Sequence, residues 1–335
     1  MSTINSLSHF NTMSAAIRRN QEKMALFEKQ LATGTKGDRF SDLGTAASRS
    51  VDLREAAVRF DRSLTDIATI ATRTDVADKS LGRIQAAAIE FRDLTSQLVN
   101  NADLVPTLNV QDQARSALKE LERLLNSDVD GHYVFSGANA ATRSMVPSET
   151  VGATVQAALT AAPPITAADA FAVVDAEFAD ATIFYSGGTP LQPVPIGRNE
   201  TISYGITGDE GAFRDILATL HAIAETDYSG LIGGGGPEAV AQQTREFFKT
   251  AMERLTSGAD RVSQLMVRNG RAQNDLDQLQ ADHQPAKEMF EASASELEAA
   301  DPYEVATRME YTRTMLEATF RASAAIRDLS LANFM

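Results

Sequence analysis

The side chains that could perform chemistry are few and scattered. The four histidines, His9, His132, His221 and His283, have no ligand-type spacing to one another. Histidines so isolated read as structural, and His283 falls on an apolar seam described below. Gly233 to Gly236, ahead of a helix start, has the look of an anion-binding loop. It lacks the Lys-Ser/Thr that would follow, and no clear strand precedes it, so it reads as a hinge. Ser136-Gly137 and Ser186-Gly187-Gly188 are turn chemistry rather than a nucleophile elbow. Asp128-Val129-Asp130-Gly131 opens like a calcium loop but lacks the later acidic ligands. Cysteine is absent, which excludes disulfides, thiolate metal sites and cysteine nucleophiles. No pair of carboxylates stands apart from ordinary helix-surface charge. The expectation is no enzyme, no cofactor and no metal.

The elements that carry these residues are more informative. The chain has 335 residues, 43% of them hydrophobic, with only 6% aromatic and no tryptophan. That mix favours long helices with narrow seams over a bulky centre. The net charge of −14, from 31 basic and 45 acidic residues, argues against nucleic acid and against an acidic membrane surface as partners. No apolar run reaches the length of a membrane span. Met1 to Phe10 has neither the basic head nor the apolar core of a general secretory signal. Between Gly131 and Gly236 lie 14 of the 20 glycines and 6 of the 10 prolines, and the flanks are nearly free of both. The pattern is a helical flank, an interrupted middle and a second helical flank.

Both flanks follow a heptad template. Phe10, Met13, Ile17, Asn20, Met24, Phe27 and Leu31 alternate steps of three and four, with one polar residue of the kind that fixes register. Thr33 to Asp38 then breaks the helix. A second seam runs Leu53, Ala57, Phe60, Leu64, Ile67 and, after a phase slip, from Ile70 through Thr74, Ala77, Leu81, Ile84, Ala88, Phe91 and Thr95 to Leu98. It predicts a helix of about 55 residues, well beyond the usual length. A third, from Val110 to Leu124, follows a short turn at Pro106 and predicts an antiparallel neighbour. From Pro237 a long seam passes through Leu255, Val262, Asn269, Leu276 and His283 to Leu297. Pro285 inside it predicts a kink or a local loss of helix. Asp301-Pro302-Tyr303-Glu304 has the form of a helix start. The closing helix carries Val305, Met309, Thr312, Leu316, Thr319, Ser323 and Ile326, with Phe320 beside them, and ends in an apolar tail that includes Leu329 and Leu331.

In the middle, Tyr133 to Phe135, Thr182 to Tyr185 and Thr201 to Tyr204 predict strands. Val155 to Val174, broken by Pro163-Pro164, is ambiguous between helix and loop. Ala212 to Ala224 predicts an amphipathic helix. Residues 139–236 hold 3 basic and 11 acidic residues, which reads as a solvated acidic surface. The expected fold is mainly α: a long antiparallel helical bundle or coiled coil built from both flanks, with an inserted β-containing (α+β) outer domain. Its expected parts are a terminal coiled-coil assembly region (1–40 and 299–335), a long-helix stem (41–137 and 237–298) and the outer domain (138–236). Each of the two end helices, alone, has little intrinsic stability in water. They must pair with each other, with other copies or with a partner.

Four passages resemble the flagellin superfamily of bacterial flagella. They are Gln30-Leu31-Ala32-Thr33-Gly34 with Ser41-Asp42 and Ala46-Ala47; Phe91 to Gln97; Gly131-His132-Tyr133-Val134-Phe135-Ser136-Gly137; and Ala300-Asp301 through Ser330-Leu331. The resemblance covers 1–137 and 237–335 and leans toward the proteins that join hook to filament. Ser41-Asp42-Leu43-Gly44-Thr45 departs from the "DDAAG" usual in flagellin itself, and the terminal Leu331-Ala332-Asn333-Phe334-Met335 departs from its "ANQ…LL" ending. The resemblance implies a structural adaptor, with the filament subunit itself as the alternative. A cytoplasmic signalling coiled coil is a further alternative, disfavoured by the insertion. It implies self-assembly into a ring or helical layer. It also implies contact with hook-associated protein 1 and flagellin, an export chaperone, and export by the flagellar type III route without a cleaved signal. The implied assembly interface is Phe10, Met13, Ile17, Met24, Phe27 and Leu31 with Met309, Leu316, Phe320, Ile326, Leu329 and Leu331.

Overall fold

The computed structural model describes residues 2–37, 44–100, 107–197, 200–233 and 235–332, with side chains described outside 2–10, 100, 107–108 and 326–332. The fold is mainly α. In chain order it comprises α1 (Ser2–Thr33), α2 (Ala47–Asn100), α3 (Thr107–Leu125), β1 (Asp128–Val129), β2 (His132–Tyr133), α4 (Ser148–Ala161) and α5 (Ala167–Phe178). There follow β3 (Val194–Ile196), β4 (Glu200–Ile202), α6 (Gly211–Glu225), α7 (Pro237–Glu298) and α8 (Pro302–Ala332). The described residues divide into a smaller unit, Met1–Arg62 with His283–Met335, and a larger one, Ser63–Asp282. Residues of α2 and α7 fall in both.

The larger unit follows its seams closely. Every seam position of α2 from Ile70 to Leu98 is buried, and on α7 so is every one from Thr244 to Leu276. Asn269, 4% exposed, donates its side-chain amide to the Thr74 carbonyl at 2.8 Å. This is a buried polar layer of the kind that fixes which residues face one another. α6 is the central helix: all its residues from Ala212 to Ala224 are buried except Arg214 and Asp215. α3, α4 and α5 pack around it, and α7 meets it at Gly258. A Cβ built there would lie 2.5 Å from Ile216 Cγ1. Gly258→Val is therefore expected to lower the unfolding free energy of this unit by about 1–3 kcal/mol. The urea midpoint of the full chain checks this.

The two small sheets are hairpins. β1 and β2 are joined by Asp130 (φ 53°) and Gly131 (φ 77°), the left-handed pair that a tight two-residue turn demands. Asp128 accepts from the Gly131 amide at 3.1 Å, so this acidic loop has a turn to close. β3 pairs antiparallel with β4, and its buried Ile196 and Ile202 cluster with Ile67, Ile70 and Leu276.

Two sequence expectations for the middle need correction. Thr182 to Tyr185 is not a strand: Asp180 caps a 3-10 turn over Ala181–Ile183, and Phe184 turns inward to stack on Phe178 at 5.2 Å. Tyr133 to Phe135 is strand only through Tyr133. The ambiguous alanine-rich stretch is two helices, α4 and α5, with Pro163-Pro164 in their connection and a Thr166–Asp169 capping box opening α5. α7 is helical throughout Pro237–Glu298, so Pro285 does not end it, and Pro285 lies on an exposed face of the helix.

The acidity of the insertion is answered from the long helix. Arg254, Arg261 and Arg268 recur every seven residues on α7. Arg254 chelates Asp175 (2.9 and 2.5 Å) and lies over the Phe171 ring, Arg261 pairs with Asp215, and Arg268 with Glu210. On α3, Arg115 and Lys119 hold Glu225 and Glu149. These carboxylates are thus fastened rather than merely solvated.

Candidate assembly interface

The smaller unit is built from the two ends of the sequence and the nearest parts of α2 and α7. Its centre is a joint where four chain segments meet. The Lys36 amide donates to the Glu298 carbonyl and the Ala300 amide to the Gly34 carbonyl, each at 2.8 Å. Thr35 and Ala299 form an antiparallel bridge between them. Gly34 takes φ 70°, a left-handed conformation that ends α1 as glycine ends helices generally. Asp301 caps α8, accepting from the amides of Tyr303 (2.9 Å) and Glu304 (3.3 Å). The joint sets the end of α1 beside the start of α8, so the two terminal helices pack antiparallel.

Glu298 locks the joint to α2. Its carboxylate receives Arg54 in a two-pronged pair (2.7 and 2.5 Å) and the hydroxyl of the buried Ser50 (2.5 Å). The hydrogen bonds from Arg54 and then Ser50 pull its pKa down to about 2. A depressed carboxylate stabilises the fold above its ordinary pKa of 4.5, and that contribution is lost as pH falls toward 2. Arg54 is half exposed, so solvent screening limits the effect. Arg54→Met is expected to cost the smaller unit about 1–2 kcal/mol at pH 7 and to weaken its dependence on pH between 4.5 and 2. Amide hydrogen exchange of α8 against pH reads both. Further along, Lys287 pairs with Asp61 at 2.5 Å, and Phe60 lies between Phe290 (stacked, 5.7 Å) and His283 (edge-on, 5.1 Å).

Along the terminal helices the seam is present but shallow. Met13, Ile17, Met24 and Phe27 on α1 are half-buried, as are Met309 and Leu316 on α8. Val305 and Thr312 are buried. Leu31 and Phe320 are exposed, at 38% and 47%. Phe10, Ile326, Leu329 and Leu331 fall outside the side chains described. Two helices can shield only a narrow stripe of one another, which is why seam residues that would be buried in a larger bundle keep part of their surface here. Eight of the eleven exposed large hydrophobic side chains among the described residues lie in this smaller unit. Tyr303 (85%) and Tyr311 (65%) stand away from the seam altogether. Sequence spacing alone passed over these two, because they lie off the heptad positions.

The class is now defined. The two ends of the chain pair as helices, the long helices between them carry a compact insertion, and the apolar surface left over is gathered where the ends pair. Among the described residues no group of three or more histidines and carboxylates is placed to hold a metal, and no helix is long and apolar enough to cross a membrane. Residues 4–140 match the bacterial flagellin N-terminal helical region. No curated protein matches the chain in sequence. Among solved structures, one provisionally described as a flagellar hook-associated protein from Vibrio parahaemolyticus is 15% identical. It covers 77% of this chain and 100% of that one, with a TM-score of 0.50. Bacillus cereus FlgL is 14% identical over 73% of this chain and 100% of its own, also with a TM-score of 0.50. At such identities the likeness is one of fold. The N-terminal region, residues 4–140, is flagellin-like.

Proposed function

We propose that the protein is the junction adaptor between hook and filament, in the role of hook-associated protein 3, and that its terminal helices are the assembly surface. The observation that carries this reading is the concentration of exposed apolar side chains in the unit made from the two chain ends. Copies stacked through that unit complete the burial that one α1–α8 pair leaves half done. Each large apolar side chain so covered contributes on the order of 1.5–3 kcal/mol before ordering costs. The proposed neighbours are further copies of the chain in a ring or helical layer, hook-associated protein 1 on one side and flagellin on the other. Export by the flagellar type III route, with a chaperone shielding the apolar C-terminal helix, belongs to the same proposal. The acidic insertion, fastened by α7 arginines, faces solvent in this reading.

A strain lacking the protein tests the role. It is expected to keep intact hooks, grow no filaments and spill flagellin monomer into the medium. Filaments of normal length would overturn the junction reading. Hooks without any spilled flagellin would assign the chain to the filament itself.

A further inference from the structure

In the larger unit, Arg73 is a partly buried arginine with no carboxylate paired to it among the described residues. Arg73 on α2 lines a cavity of about 20 Å³ together with Tyr133, Leu191, Tyr204, Gly205 and Asn269. A volume of that size admits a single water-sized occupant. Arg73 is the one charged residue in the lining. Its Nε is buried without a hydrogen-bond partner, and its Nη1 reaches the Tyr204 hydroxyl at 3.4 Å, a weak bond. No ion pair joins it to a carboxylate among the described residues, and it is partly buried, whereas Arg83, Arg115, Arg254, Arg261 and Arg268 of the same unit each have one. The nearby Thr74 carbonyl is already taken by the Asn269 amide. What remains toward the cavity is a guanidinium N–H, with a tyrosine hydroxyl free to donate once it has accepted from Nη1. A water would answer Nε alone. A small anion answers Nε and the charge together.

We propose that this cavity binds one monovalent anion of chloride size, held by Arg73 and Tyr204. The anion ties α2 to the segment that leaves β4, and so pins the insertion to the long helix. Binding only to the folded state raises stability with ligand concentration.

The test is thermal unfolding of the full chain in sodium chloride against sodium gluconate at constant ionic strength. The midpoint is expected to rise saturably with chloride, by about 3 °C at a tenfold excess over the dissociation constant. Arg73→Met should abolish that response, and Tyr204→Phe, which keeps the ring, should weaken it. Crystals soaked in bromide should show an anomalous peak beside Arg73 Nε. An equal chloride response in folded Arg73→Met overturns the proposal, as does a bromide-soaked crystal with no peak in the cavity. A peak without any chloride response in solution means an adventitious ion only and overturns it too. If Arg73→Met does not fold, the parent titration, the Tyr204→Phe comparison and the bromide peak still decide.

Discussion

Replacing His221 with leucine is expected to make the larger unit resistant to mild acid. His221 sits in α6 at 2% exposure, its Nδ1 has no hydrogen-bond partner, and its ring packs at 5.7 Å from Phe178. Burial pushes its pKa down from 6.5 to about 3. A base whose folded pKa is depressed is neutral in the folded chain and protonated in the unfolded chain across the interval between the two values. Stability is therefore unaffected above about pH 6.5 and falls as pH drops from there toward 3, by about 1.4 kcal/mol per pH unit. Between pH 7 and pH 5 the loss is about 2 kcal/mol. Leucine has no proton to bind and no unpaired nitrogen to bury, so the variant should lack that slope and the difference between variant and parent should carry it. Carboxylates elsewhere titrate in both proteins and cancel to first order. Urea unfolding of both chains at half-unit steps from pH 5 to 8 provides the measurement. Parallel curves would show that His221 takes up its proton as readily in the folded chain as in the unfolded one, and would overturn this prediction.

Ile17→Asp, or Leu316→Asp, is expected to abolish assembly and leave the larger unit folded. Both side chains are half-buried in the α1–α8 seam. A carboxylate there loses about 1.5–3 kcal/mol of apolar burial and adds a charge to desolvate. The loss is multiplied in an assembly because every copy carries it. The larger unit has its own core, running from Ala77 to Leu265, and contains neither residue. Its urea midpoint should therefore stay within about 0.5 kcal/mol of the parent. Sedimentation of purified chains reports assembly, and the yield of filaments from complemented cells reports the role. Parent-like assembly by either variant would remove the terminal seam from the mechanism.

Much of the architecture was legible because long amphipathic helices write their burial in a repeating period. The α2 positions from Ile70 to Leu98 and the α7 positions from Thr244 to Leu276 lie where the spacing puts them. The register across the pair was not read in advance: Asn269 lay on the seam, but its bond to Thr74 is visible only in the structure. The insertion was harder, for three physical reasons. Alanine-rich segments such as α4 and α5 have too little size contrast between faces for a period to show. The β-prone Thr182-Ile183-Phe184-Tyr185 was overridden by Asp180 capping and Phe184 packing. The carboxylates at 175, 210 and 215 look like solvated charge until the seven-residue spacing of three arginines on a different helix is noticed. The candidate interface was legible as a seam but not as a choice of partner. A heptad is equally content with its own chain or a copy. The bridge of Thr35 to Ala299 and the Glu298 lock, which bring α1 and α8 together, depend on residues too far apart in sequence to suggest each other.

The arginines on α7 also constrain how this sequence can drift in length. Each added or deleted residue between Arg254 and Arg268 turns everything beyond it by about 100° around the helix axis. A single-residue indel there would swing one or two of the three grips off the insertion, and seven residues would restore them at the cost of sliding the seam by two turns. The insertion itself has no such ruler, since its loops can lengthen provided that the carboxylates at 175, 210 and 215 return to their places. Relatives of this chain should accordingly vary in length within the insertion, while this stretch of the long helix keeps its residue count or changes it by whole heptads.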